Sequence, residues 1–255
     1  MLAVVSPAKK LDFSRPMVDI EPSQPVFHKQ ADELAIVAKK LTRADLRRLM
    51  QLSEKLADLN YDRFQRYSPT PASEATRPAA LAFAGDTYTG LDAATLDQQD
   101  LSFAQNNFRI LSGLYGLLRP LDAIQPYRLE MGRKLVNPKG EDLYDFWGAD
   151  IANAIDVQLS DHKSKTVINL ASNEYFKVID RKALKADVIN IIFKEERDGM
   201  LKIISFFAKK ARGAMARYII QNRLETPEPM KDFKADGYCY QPALSTGKDW
   251  VFTRK

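Results

Sequence analysis

The sequence has very little soft-ligand chemistry. Of 255 residues, one is cysteine and two are histidine. Cys239 stands alone, which excludes an internal disulfide and agrees with a reducing compartment. His28 and His162 lie far apart, with no Cys-x-x-Cys and no His-x-x-x-His. A zinc finger, a thiolate-held iron–sulfur cluster and a zincin helix are thereby excluded. Both histidines sit in polar stretches, FHKQ and SDHKSK, and are expected at the surface rather than in a catalytic triad. An EF-hand loop, a Walker A sequence and G-x-G-x-x-G are missing too, so no metal and no cofactor are assigned, and only a carboxylate site for a hard cation stays open. Long apolar runs are also lacking. None approaches the roughly 20 residues that cross a bilayer. The opening MLAVVSPAKK has neither the basic start nor the long apolar stretch of an export signal. The expectation is a cytoplasmic protein without a membrane partner.

What is present suits a folded domain. Apolar residues make up 45% and charged residues 28%, too apolar for general disorder. Lysine and arginine total 38 against 33 aspartates and glutamates, a formal net charge of +5. The length allows a large buried core. Strands are predicted at Leu2–Val5, Ala79–Phe83, Phe108–Leu111, Thr166–Leu170, Val188–Phe193, Leu201–Phe206 and Trp250–Thr253. The 188–193 and 201–206 pair forms a hairpin over Arg197-Asp198-Gly199. Helices are predicted at 29–40, in part of 91–107, at 143–159 and at 208–224, the last stopped by Pro227 and Pro229. Thr42 with Asp45 forms a capping box, and the apolar spacing that follows slips near Leu52-Ser53, which suggests two helices joined tightly. Loops are expected over 14–26, 68–78 and much of 119–140. Alternation of strands and helices predicts one mixed α/β (α+β) domain, a mixed sheet flanked by helices, with a helical insertion at about 28–67.

Three regions carry chemistry. Lys202–Arg223 holds six basic residues and no acid. On a helical wheel Ala211, Ala214, Met215, Tyr218 and Ile219 fall on one side, and Lys209, Lys210, Arg212, Arg217 and Arg223 on the other. Such a face attracts phosphates, unless acids elsewhere in the fold balance it. The 44–67 stretch reads as a helical hairpin with Arg43, Arg47, Arg48, Lys55, Arg63 and Arg66 available to a duplex backbone. It lacks the glycines usual in helix–hairpin–helix units. Asp45, Glu54, Asp58 and Asp62 offset much of its charge, so a plain packing hairpin is an alternative. Third, strand-end loops bring Ser6 and Lys9, then Ser112, Arg119, Arg128 and Glu130, then Asn169, Ser172 and Glu174. Ligand crevices of open α/β sheets lie at such carboxyl ends. Convergence would give a polar anion pocket; otherwise each loop is a separate turn.

SPAKKLDF at 6–13, FAGDTYTGL at 83–91, LSGLYGLLRPLDAIQPYRLEMG at 111–132, INLASNEYFK at 168–177 and ISFFAKKARGAMARYII at 204–220 resemble the bacterial peroxide stress protein YaaA family. The resemblance spans nearly the whole chain. It implies a family-specific α/β fold with a helix–hairpin–helix element, a positively charged cleft and binding to double-stranded DNA. It further implies protection during peroxide stress by limiting free iron, with no settled enzymatic reaction. Direct iron storage is not expected from so few thiolate and imidazole groups.

The first expectation is therefore a duplex-DNA-binding stress protein of low sequence specificity, using Arg43, Arg47, Arg48, Lys55, Arg63, Lys209, Lys210, Arg212 and Arg217. The alternative is an enzyme acting on a nucleotide or nucleobase at the strand-end loops, with Glu130 or Glu174 as general base. A basic scaffold for an acidic protein partner is a third reading.

Overall fold

The computed structural model describes residues 1–14 and 21–255, so the loop expected over 14–26 lies partly outside the described residues. Along the chain, β1 (Leu2–Val5) and β2 (Lys10–Leu11) precede three helices, α1 (His28–Lys39), α2 (Arg43–Met50) and α3 (Glu54–Arg66). Then come β3 (Arg77–Pro78), α4 (Ala79–Ala82), β4 (Phe83–Ala84), α5 (Asp86–Leu91) and α6 (Gln98–Asn107). Strands β5 (Phe108–Ser112), β6 (Gly116–Leu118) and β7 (Ala123–Ile124) lead to α7 (Leu143–Trp147) and α8 (Asp150–Leu159). The remainder holds β8 (Thr166–Leu170), α9 (Asn173–Phe176), β9 (Asp187–Arg197), β10 (Met200–Lys202), α10 (Ser205–Gln221), β11 (Cys239–Tyr240) and β12 (Asp249–Arg254).

The main sheet runs β11-β12-β9-β8-β1-β5-β6, with β10 paired to β9. Its five inner strands are mutually parallel, and β11, β10 and β6 pair antiparallel at the margins. Parallel strands are covered on both faces and so read as unbroken apolar runs. LAVV, FRILS and TVINL are buried at every position. Arg109 is the charged residue among them and must be satisfied internally; its guanidinium donates to the carbonyls of Gln105 and Phe108 and to Gln158 Oε1. The two short ladders β2–β4 and β3–β7 lie apart from the main sheet.

After β1 the chain adds β5 on one side; after β8 it adds β9 and then β12 on the other. The β1/β8 boundary is thus the point where connections leave in opposite directions, and the carboxyl ends there open a crevice. Helix α10 buries Ala208, Ala211, Met215, Ala216, Ile219 and Ile220; of the apolar side expected for it, Ala211, Met215 and Ile219 are buried, while Ala214 and Tyr218 are half-buried. It crosses α5 at two glycines. A Cβ on Gly213 would overlap the carbonyl oxygen of Thr87, and one on Gly90 would overlap that of Lys210. The two backbones therefore touch, which only glycine permits.

Helices α1–α3 fill the segment expected to be helical. Thr42 and Asp45 form the reciprocal capping box at α2. Gln51, at φ 54°, ends α2 in the left-handed region, and α3 starts at Glu54, where the apolar spacing slips.

Several boundaries differ from the sequence expectation. Residues 79–82 form a helical turn rather than a strand, and only Phe83–Ala84 is extended. Gly148, at φ 45°, splits the expected 143–159 helix into α7 and α8. The 197–199 hairpin forms, with Asp198 and Gly199 at positive φ, but its second strand stops at Lys202 because α10 begins at Ser205. The histidines are half-buried, not surface residues: His162 Nδ1 lies 3.0 Å from the Met1 carbonyl, and His28 Nδ1 lies 3.1 Å from that of Pro25.

Candidate functional site

The crevice at the β1/β8 boundary is a cavity of about 450 Å³. The segment after β1 supplies Ser6, Lys9 and Lys10, α5 supplies Asp86 and Tyr88, the β8–α9 turn supplies Ser172 and Glu174, and α10 supplies Lys209 and Arg212. Ser6 fastens the two strand ends together. Its Oγ donates to Ser172 Oγ at 3.2 Å and accepts the Ser172 N–H at 2.9 Å. Ser172 stands at the start of α9, but its hydroxyl does not cap that helix. Tyr88 donates to the Ser6 carbonyl at 3.1 Å. Burial pushes the Tyr88 and Tyr175 hydroxyls well up, so both stay neutral and serve as hydrogen-bonding groups. Glu174 Oε1 accepts the Gly132 N–H at 3.1 Å.

Beside the cavity, Lys9, Tyr127, Arg128, Glu130 and Tyr175 line a small recess. Glu130 is 2% exposed. Three cations surround it: Arg128 at 2.9 Å, Lys9 at 3.5 Å and Arg133 at 3.7 Å. A buried carboxylate is tolerated when so paired. Three positive groups on one negative group leave this corner with excess positive charge, and they occupy Glu130 as a counter-ion.

The same chain segment continues into a second concavity. Leu11 and Phe13 line a groove of about 590 Å³ with Arg63 and Arg66 of α3, and Asp62 and Glu74. Arg63 is half-buried; burial first, and then the nearby Arg128 charge, lower its pKa. Arg128 thus links groove and recess electrostatically.

Other expected residues are engaged elsewhere. Arg43 pairs with Asp58 at 3.0 Å and Asp62 at 3.5 Å, Arg47 with Glu54 at 3.0 Å, and Arg48 with Asp45. These three arginines line a concavity on α2 and α3 already balanced by acids. Lys210 pairs with Asp236 at 3.1 Å, and Arg223 with Asp100 at 3.3 Å. Arg217 donates to the Leu91 and Asp92 carbonyls, closing the C-terminus of α5. Arg119 is bound to buried Asp122 and to the Gln24 carbonyl. Ser112 is buried 2.6 Å from the Tyr127 hydroxyl, and Asn169 bonds Asn190 and the Ala171 N–H. Arg119, Ser112 and Asn169 therefore do not line the cavity, whereas Ser6, Lys9, Ser172, Glu174, Lys209 and Arg212 do. Exposed Lys55 makes no ion pair among the described residues.

The model of the peroxide stress protein YaaA family matches residues 1–244. The chain belongs to that family. Similar full-length relatives of the YaaA-family chain are called UPF0246 proteins. One from Saccharophagus degradans is 52% identical over 255 residues, covering 100% of both chains. One from Caulobacter vibrioides is 52% identical over 254 residues, covering 100% of this chain and 99% of its own. One from Aliivibrio fischeri is 51% identical over 255 residues, covering 100% and 98%.

Sequence reasoning placed no functional residue of this YaaA-family chain in the GDTYTG segment, yet Asp86 and Tyr88 face the cavity. The signal available was the glycine at position 85 after an apolar run, the pattern of a strand end followed by a ligand loop. Arg133 was missed as well; it lies three residues after Glu130, within the irregular basic stretch. Chemically, the cavity offers four cationic lining groups (Lys9, Lys10, Lys209, Arg212) against two carboxylates (Asp86, Glu174), which suits a ligand with an anionic part and hydrogen-bond donors.

Proposed function

We propose that this peroxide stress protein binds double-stranded DNA through its backbone, with low sequence specificity, and thereby shields it during oxidative stress. One observation carries the reading. The segment 6–13 lines both the strand-end cavity and the α3 groove: Lys9 and Lys10 share the cavity with Lys209, and Leu11 and Phe13 share the groove with Arg63 and Arg66. Lys10, Arg66 and Lys209 are exposed and make no ion pair among the described residues. Unpaired cations strung along one path are what a polyanion recruits, by Coulomb attraction and counterion release. The arginines of α2, already paired to acids, have less to offer a phosphate. The interface we propose therefore uses Lys10, Arg63, Arg66 and Lys209 ahead of Arg43, Arg47 and Arg48. A limit on free iron, which the family resemblance brings with it, is proposed to act indirectly, because one cysteine and two histidines make a poor iron store.

The test is an affinity series on unrelated duplexes. Replacing Lys10, Arg66 and Lys209 together with alanine is expected to weaken binding to every sequence by a similar factor, at least tenfold. Replacing Arg43, Arg47 and Arg48 together is expected to cost markedly less. The reverse ranking would move the interface to the hairpin, and unaltered affinity in both would end the proposal.

A further inference from the structure

The cavity is too small for a duplex, yet its polar lining is not self-satisfied. The guanidinium of Arg212 makes no ion pair among the described residues. Its Nε is closed off from solvent with no hydrogen-bond partner among the described residues. An orphaned donor in that position loses its hydration with nothing in return, so native structures keep few of them. The half-buried side chain of Asp86, which lines the same cavity, has no hydrogen bond or ion pair among the described residues. A cation and a carboxylate without protein partners among the described residues thus line the same cavity, whose volume of about 450 Å³ falls within the range of small-ligand sites.

We propose that this cavity binds one unpaired nucleotide, its phosphate on Arg212 and Lys209 and the amino group of its base on Asp86. A planar guanidinium takes a phosphate through two parallel hydrogen bonds, and Lys209 adds a compact charge three residues earlier on the same helix face. A carboxylate accepts from the exocyclic amine of cytosine. Tyr88 and Tyr175, held neutral, line the cavity beside the base. The inference rests on the DNA-binding reading for the source of the nucleotide, which would be an extruded, mismatched or terminal residue of the bound strand.

The test uses the full chain and free mononucleotides, followed by calorimetry at low salt. Expected is dCMP binding at least about tenfold tighter than inorganic phosphate, and tighter than dUMP, which lacks the amine. Arg212→Gln is expected to lose at least about tenfold in dCMP affinity. Because Arg212 makes no side-chain hydrogen bond or ion pair among the described residues, its replacement is expected to leave the unliganded Tm equal or higher while abolishing the dCMP-induced rise in Tm. Asp86→Asn is expected to erase the preference for dCMP over dUMP. Phosphate binding as tightly as dCMP would overturn the proposal, as would unaltered dCMP affinity in Arg212→Gln. Duplex binding without mononucleotide binding would sink this inference and keep the one before it. Mononucleotide binding without duplex binding would do the opposite.

Discussion

At the scale of single residues, two positions yield sharp expectations. Gly213 lies against the Thr87 carbonyl with no room for a methyl group. In an open helix, glycine to alanine would stabilise by roughly 1 kcal/mol. Here the clash is with main chain, which cannot rotate away, so overpacking wins. Gly213→Ala is expected to lower stability by about 3 kcal/mol in denaturant unfolding. Gly247→Ala, with nothing among the described residues within 4 Å, should change it by less than about 0.5 kcal/mol. The second position is His162. Burial lowers its pKa below the ordinary 6.5. The unfolded chain then binds more protons than the folded one around and below that pH. Stability from this group is thus present above the window and falls with acidification. His162→Asn keeps a side-chain donor for the Met1 carbonyl but does not titrate. Its Tm is expected to fall less than that of the wild type between pH 7 and pH 5.

At the scale of elements, the capping box on α2 is the clearest local determinant, since both its bonds form as the spacing of Thr42 and Asp45 requires. Thr42→Ala should cost about 1 kcal/mol, read from a shift in the denaturant midpoint at constant slope. Asp45 bears on the hairpin twice, because its other oxygen engages Arg48. Elements with such local signals were legible in the sequence. Leu2–Val5 and Thr166–Leu170 are apolar runs of strand length, and the positive-φ turn at Asp198-Gly199 announces its hairpin. Residues 79–83 were not legible. AALAF is as apolar as a buried strand, and periodicity cannot separate a short apolar run from a buried helical turn. The fate of Arg217 was equally hidden. On a helical wheel it joins the basic face, yet it is spent on α5, a partner distant in sequence.

At the scale of the whole molecule, the sheet order and the pairing of charges are tertiary facts. The strand-end loops were legible as candidates for one crevice; the bond between Ser6 and Ser172, and the turning away of Arg119, were not. It also gave the basic residues without their partners, so the acids of α3 that hold Arg43 and Arg47 were visible only as a sum. The remaining unpaired cations set a quantitative expectation for the proposed DNA complex. With about five phosphates engaged, log K should fall with log salt at a slope near −4.5, and each lost phosphate contact should reduce that slope by about one. A slope near zero in a salt titration would exclude a backbone-dominated interface.

The glycine crossing of α5 and α10 has a further consequence. Asp86 and Tyr88 belong to one of these helices, Lys209 and Arg212 to the other, and the main chains are in direct contact between them. Those two flanks behave as a single casting with no slack to spread or pinch. For the nucleotide proposed here, selection would then work by rejection of whatever exceeds that fixed outline, with accommodation left to the guest.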